Sequence, residues 1–367
     1  MLDDVLRVCL VTPIPPPYGG IGNWTLMVRR QAAKCPEVHI EIVNTAPPWR
    51  AVDEAPASRW RRLWDKGGQA ARDFLQSLRQ LRKRPHVVHL NTSGQFAILR
   101  DLSVLALARC FRVPVVYHLR FGRVPQLAEE GTTREWRLLA RAMRRAHTVI
   151  AVDGKTEQAI RRYLPDVRVV RIPNCIDVSA LPTAALRPCD VNAVMFLGWV
   201  IPTKGMEELV AAWAVLRPER WRLCIVGPGN PAYQQELIEK YQPVGIEFLG
   251  EKTHDEAMRL MAEAEVFVLP SHTEGFPNVI AEAMALKKSI VATRVGAIPE
   301  MLADDCGVLI DSQDMLGLRD ALAQVLADVA LRRRLGANAH ARVVGNYSLE
   351  VVFAQYLTLW RQVAEQG

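Results

Sequence analysis

The chain predicts an α/β protein of two doubly wound parallel sheets, and three observations carry that reading. Its 367 residues are too many for one ordinary core and suit two domains of roughly 180 residues each. Short apolar runs alternate with helical patterns almost throughout, the rhythm of parallel strands covered by helices. That rhythm breaks across the proline- and turn-rich segment RIPNCIDVSALPTAALRPCD and then restarts. Half of the residues (50%) are apolar, so each part can bury a core.

In the first half, strands are expected at Arg7–Thr12, Val38–Val43, His86–Leu90, Pro114–His118, Thr148–Val152 and Arg168–Ile172, each a short apolar run bounded by polar or turn residues. The second half repeats the pattern at Val194–Leu197, Arg222–Val226, Ile246–Leu249, Val266–Leu269, Ser289–Ala292 and Gly307–Leu309. Helices fall between the strands, and a last helical pattern over Leu349–Glu365 carries apolar residues at helical spacing. The domain boundaries read as 1–180, 181–346 and a terminal helical segment 347–367. Prolines and mixed charges single out Ala46–Ala57 as the place for a disordered stretch. Ligands of such sheets sit beyond the carboxyl ends of the strands, so two facing lobes place a site in the cleft between them.

Charge divides the chain. Residues 1–185 hold 29 Lys and Arg against 16 Asp and Glu, whereas residues 186–367 hold 17 against 23, so a basic half precedes an acidic one within a net charge of +7. The basic half contains RWRRLW at Arg59–Trp64, RQLRKR at Arg79–Arg84 and RLLARAMRR at Arg137–Arg145. Arginines interleaved with tryptophans suit a helix lying on an anionic membrane, and a solvated charged face is the plainer alternative. No nucleic-acid motif accompanies the charge, so nucleic acid is not expected as a partner. Seven cysteines without a C-x-x-C pair argue for a reducing compartment and against a thiolate metal site. No apolar run approaches the roughly 18 residues of a membrane span, and acids stand where a signal peptide needs bases, so the expected location is cytoplasmic.

The segment PSHTEGFPNVIAEAMA is the most informative. Pro277 suits the first position of a helix beginning near Asn278, which puts Glu282 one turn inside while Glu274 stays on the preceding loop. The amides of Gly275, Phe276, Asn278 and Val279 then lie between two carboxylates, a pocket for an anion flanked by hydroxyl groups. A nucleotide sugar presents that order: sugar, diphosphate, ribose. In FLGWVIPTKGMEEL, Lys204 enters a helix at a strand end, where its charge can balance a departing diphosphate; a surface lysine is the plainer reading. Gly227 also follows a strand and is expected beside the donor. Gly19, Gly20 and Gly22 precede a helix expected near Asn23 and can let amides approach a phosphate or sugar, or simply make a tight turn. His118 ends a strand, with Arg120 just after it; the ring can reach a donor hydroxyl, or be satisfied by a loop carbonyl. No D-x-D and no histidine pair at ligand spacing occur, so no metal or other cofactor is expected.

On these residues the chain resembles family 4 of the retaining glycosyltransferases, of the bacterial surface-polysaccharide type. The likeness runs over nearly the whole chain and is most specific from FLGWVIPTKG to VGAIPEML. It implies the GT-B fold, two facing Rossmann-like domains with a deep interdomain cleft, the final helix crossing back to the first. It also implies that Glu274 contacts the donor sugar, Glu282 the ribose and Lys204 the phosphates, that Gly19 and Gly20 form the N-terminal glycine loop, and that His118 lies near the transferred sugar. Two positions depart from the family pattern: Trp199 stands where an arginine is common, and Asn174-Cys175-Ile176-Asp177 replaces an N-G-[VI]-D hinge.

The expected activity is transfer of a hexose from a UDP- or GDP-linked donor to a polyprenyl diphosphate-linked glycan, with Glu274, His118 and Lys204 catalytic, on the inner face of the cytoplasmic membrane. A nucleotide-sugar epimerase on the same scaffold and a catalytically silent nucleotide-sugar-binding protein are the alternatives.

Overall fold

The structure, a computed structural model, describes residues 5–16, 19–46, 59–182 and 192–366. The chain divides into two compact units, Met1–Cys175 together with Leu349–Gly367, and Ile176–Ser348. The expected disorder at Ala46–Ala57 falls almost wholly outside the described residues, as does the second half of the turn-rich junction.

In the first unit, β1 (Leu6–Thr12), β2 (Val38–Asn44), β3 (Val87–Thr92), β4 (Val115–Leu119), β5 (Thr148–Ala151) and β6 (Val169–Arg171) form a parallel sheet of order β2-β1-β3-β4-β5-β6. Between the strands run α1 (Gly20–Ala32), α2 (Arg59–Leu81), α3 (Ala97–Cys110), α4 (Val124–Glu130), α5 (Arg134–Met143) and α6 (Gly154–Tyr163). Parallel neighbours require crossovers, so each face of the sheet is covered and its inner strands β3, β4 and β5 are buried on both sides. The pleat sorts residues accordingly. Val88, Leu90, Val115, Tyr117 and Leu119 enter one core, while Val87 and Val116 enter the other.

The second unit contains β7 (Asn192–Leu197), β8 (Trp221–Val226), β9 (Ile246–Gly250), β10 (Val266–Leu269), β11 (Ser289–Thr293) and β12 (Val308–Ile310) in the parallel order β12-β11-β10-β7-β8-β9. Its helices are α7 (Met206–Leu216), α8 (Pro231–Tyr241), α9 (His254–Glu263), α10 (Asn278–Ala285), α11 (Ile298–Met301), α12 (Met315–Ala327) and α13 (Val329–Asn346). Successive strands run outward from β7 on one side and from β10 on the other. The chain therefore reverses its direction of winding between β7 and β10, and the loops leaving these two strands diverge to open a crevice at their carboxyl ends.

The last helix, α14 (Leu349–Gln366), belongs to the first unit. Phe353, Tyr356, Trp360 and Val363 form its apolar stripe and join Trp24, Val28 and Val87 in one core. All twelve strands read from the sequence are present. The start of α1 is not where it was expected: the helix opens at Gly20, three residues before Asn23, with Gly19 at its N-cap in extended backbone. Gly20 and Gly22 are therefore helical, and Gly22 is small because a Cβ there would lie 3.0 Å from the Pro15 ring.

Candidate active site

The crevice of the second unit is shaped by close backbone approaches. Gly227, just beyond β8, has φ 140°, and a Cβ there would fall 1.9 Å from the carbonyl oxygen of Gly198 beyond β7. Its lack of a side chain is thus required by the crossing of two strand ends, whether or not a ligand approaches. After Gly198 a single 3-10 turn, Pro202–Lys204, leads into α7 through Gly205 at φ 71°. A Cβ on Gly205 would stand 2.1 Å from the carbonyl oxygen of Pro270, so only glycine lets the β7–α7 loop lie against the end of β10. The amide of His272 donates to the Thr203 carbonyl at 2.9 Å and closes the seam.

That seam joins the two chemical groups. Lys204 Nζ lies 2.5 Å from Glu274 Oε1, and the Ser271 hydroxyl donates to the same oxygen at 2.7 Å. Both partners are mostly buried, with 24% and 13% of the side-chain surface exposed. Beneath them, Thr293 Oγ1 donates to the Ser271 carbonyl at 2.6 Å, and Ala297 N donates to the Gly275 carbonyl at 2.8 Å. His272 is tied to Glu208 at 2.9 Å. Sequence reasoning missed the Lys204–Glu274 pair because it spans 70 residues. Ser271, three residues before Glu274, was the available local signal.

α10 begins at Asn278, and Pro277 occupies its N-cap in an extended conformation instead of the first helical position expected for it. A proline N-cap offers no side-chain acceptor, and no side chain caps this terminus. Gly275, Phe276, Asn278 and Val279 surround this positive end, and the Phe276 ring packs edge-on against Tyr347 at 5.4 Å. Glu282 sits one turn into α10, mostly buried, and burial alone pushes its carboxyl up to about 7. Among the described residues the exposed His254 approaches it, with Nδ1 3.9 Å from Oε1. Trp199 projects from the β7 loop with 62% of its surface exposed.

In the first unit, a Cβ at Gly19 would meet nothing within 4 Å, so space is open beside it. His118 is placed differently from the expectation of a ring reaching outward at a strand end: it is fully buried, at 0% exposure. The pleat and the β3–β4 register, Asn91 opposite His118, turn its ring onto the face covered by α1 and α14. There its Nδ1 meets His89 Nε2 at 3.1 Å, so neither a hydroxyl ligand nor a loop carbonyl satisfies that nitrogen. Trp360 Nε1 donates to His89 Nδ1 at 3.0 Å. Arg120 NH1 faces His118 Nε2 at 3.4 Å, and its guanidinium lies 4.6 Å above the Trp24 ring. Burial holds both imidazoles neutral, His89 down to about 3 and His118 well below the usual range, with the Arg120 charge acting the same way.

The basic runs divide. Arg59–Trp64 opens α2, but these side chains lie outside the described residues. In the other two runs the arginines at 79, 82, 84, 137, 141, 144 and 145 are exposed, while Lys83 is held by Glu41 at 2.8 Å and Arg144 by Asp166 at 2.8 Å. α2 and α3, packed side by side, also expose Phe74, Leu75 and Leu99, and Phe96 is exposed at the N-cap of α3.

Residues 191–328 match the family model "Glycosyl transferases group 1", and residues 18–180 match "Glycosyltransferase Family 4". The phosphatidyl-myo-inositol mannosyltransferase of Mycolicibacterium smegmatis is 34% identical over 208 residues, 54% of this chain and 53% of that protein. The alpha-maltose-1-phosphate synthase of the same species is 27% identical over 394 residues, 98% of this chain and 100% of that protein. The chain spans about half the length of the curated relatives it matches at 30% identity or more. Among solved structures, sucrose-phosphate synthase from Thermosynechococcus elongatus superposes with a TM-score of 0.79 at 20% identity, covering 98% of this chain and 100% of that one. With both halves matched and two Rossmann-like units of the GT-B kind in place, the chain belongs to family 4 of the glycosyltransferases.

Proposed function

We propose that the chain is a retaining, metal-independent glycosyltransferase. It moves a hexose from a UDP- or GDP-linked donor to a hydroxyl on a lipid-linked glycan, at the inner face of the cytoplasmic membrane, in the assembly of a surface polysaccharide. The observation that carries the transfer reading is the Lys204–Glu274–Ser271 cluster at the winding reversal of the second unit, with α10 and Glu282 beside it.

A diphosphate reaching this crevice finds Lys204 and the α10 terminus as its counter-charges. It competes with Glu274 for the ammonium, and the carboxylate, still held by Ser271, is freed to accept hydroxyls of the sugar. Glu282 takes the ribose hydroxyls. The bond from the anomeric carbon to the diphosphate oxygen breaks while the acceptor oxygen bonds that carbon on the same face. The acceptor's proton passes to the departing phosphate oxygen, which makes a side-chain base unnecessary. Gly227 contributes by bringing strand ends together, Gly19 lies beside open space and Gly20 opens α1.

The membrane part of the reading is supported by the exposed arginines of the first unit and by Phe74, Leu75, Phe96 and Leu99, apolar groups beside basic ones. A relative named for a phosphatidyl acceptor supports the lipid acceptor. The test is to screen UDP- and GDP-sugars by thermal shift, then follow the best donor by proton NMR with a lipid-linked acceptor present or absent. Transfer with retained anomeric configuration is expected. Conversion of the sugar without any acceptor would replace this reading with an epimerase, and binding without turnover would leave a silent binding protein.

A further inference from the structure

Lys204 and Glu274 are held together by more than their own contact. Thr203, just before Lys204, accepts from the amide of His272, which follows Ser271 and stands two residues before Glu274. The ring of the same histidine reaches further along the Lys204 segment: its Nε2 lies 2.9 Å from Oε1 of Glu208, in the first turn of α7. A carboxylate oxygen only accepts, so the ring nitrogen donates, whether the imidazole is neutral or charged. Both side chains are mostly buried, with 23% and 18% of their surface exposed. The other carboxylate oxygen, Glu208 Oε2, is buried without a hydrogen-bond partner among the described residues, so this acid leans on His272. Removing the ring would leave a mostly buried carboxylate without its donor, a costly arrangement.

Two side-chain ties of opposite sense therefore cross the seam. The Lys204 segment supplies the cation to one and the carboxylate to the other, and the Glu274 segment answers with a carboxylate and an imidazole. We infer that His272 and Glu208 are positioning residues of the transfer site: their bond fixes the Ser271–Glu274 loop against the start of α7 and so sets where Lys204 stands relative to Glu274 when the diphosphate arrives. This rests on the glycosyltransferase reading for its ligand, whereas the coupling between the two ties does not. The single backbone bond at Thr203 would let the loops pivot about it, and the second side-chain tie removes that freedom. Once the diphosphate has drawn Lys204 from Glu274, the His272–Glu208 bond still keeps the two loops together. A slip of about 1 Å would misplace ammonium and carboxylate alike. The pair acts through those two groups and not on the substrate.

Affinity of the full chain for UDP, measured by calorimetry, tests the assignment. H272L and E208L should each bind UDP about 5- to 10-fold more weakly than the wild type, and the double variant should be no worse than either, since all three lose the same bond. Glutamine places an amide nitrogen as many bonds from the backbone as the imidazole Nε2, so H272Q should return to within about 2-fold of the wild type. The deciding comparison is made in a K204M background. With the ammonium gone, adding H272L should cost less than about 2-fold, whereas a pair that merely holds the fold together would weaken both backgrounds equally. Affinity unmoved in H272L, an equal loss with and without Lys204, or an H272Q as weak as H272L overturns the proposal.

Urea unfolding reads the same cycle without any ligand. The effect of H272L and K204M together on the unfolding equilibrium constant should fall at least about 5-fold short of the product of their separate effects, and effects that simply multiply overturn the proposal. Should neither UDP nor GDP bind the wild type, the donor reading has failed on its own account, and this unfolding cycle still decides whether the two ties are coupled.

Discussion

Lys204 Nζ and Glu274 Oε1 are 2.5 Å apart across 70 residues of chain, so two groups read separately as phosphate ligand and sugar ligand are bound to each other. Each fixes the other's direction until something arrives to divide them.

That pairing predicts a strong coupling. K204M leaves a mostly buried carboxylate without its cation, and E274Q leaves the ammonium without its anion. Each single variant should lose about 2 kcal/mol of stability, and K204M/E274Q should lose clearly less than the sum, with a coupling of about 1–2 kcal/mol in urea unfolding. E274A should lower transfer by about 100-fold or more, and normal turnover in that variant would remove Glu274 from the mechanism.

Glu282 makes the crevice sensitive to pH. Burial raises its pKa from 4.5 to about 7, so its favourable contribution is whole below about 4.5 and is lost as pH rises through about 7. At most about 3 kcal/mol is at stake, and E282Q should flatten the stability profile across that window. In the proposed function, ribose hydroxyls would donate to the ionised form and pull its pKa down. Near pH 6, UDP binding should therefore release up to about one proton, measured by calorimetry in buffers of differing ionisation enthalpy, and E282Q should abolish the release.

Gly205 is a conformational necessity. With φ at 71° and the Pro270 carbonyl 2.1 Å from any Cβ, G205A must push the Lys204 loop off the end of β10. It should cost about 2–4 kcal/mol and weaken UDP binding, whereas G19A, with open space around it, should leave stability within about 0.5 kcal/mol of wild type. Thermal melting with and without UDP checks both.

Membrane binding should fail in steps. Vesicles rich in anionic lipid should sediment the protein at low salt and release it as ionic strength rises, and the double substitution F96S/L99S should weaken binding at every salt concentration. Binding indifferent to salt would defeat the electrostatic account.

Most strands were legible because buried parallel strands are short apolar runs, and the loop-to-helix junction that carries Glu274, Gly275 and Glu282 was legible because these residues are close in sequence. What failed was what depends on packing. Pro277 suited a first helical turn, yet the loop tied to Ala297 enters one residue later and leaves it as the cap. His118 looked outward because it ends a strand; the parity of its pleat and the late arrival of α14 turned it inward. Nothing local to residue 118 announces His89 or Trp360. Cys175, where a glycine was expected, avoids positive φ and is buried in the core that α14 completes.

Because α14 supplies one wall of the first sheet, that sheet stays half-clothed while roughly the next 170 residues are being synthesised. The Trp24–Tyr356 hydrogen bond closes a span of 332 residues, so the unit begun first on the ribosome is finished last. Premature termination anywhere in the second unit would thus expose Trp24, Val28 and Val87 to water and direct the fragment toward aggregation, which ties survival of the opening lobe to complete translation of the other.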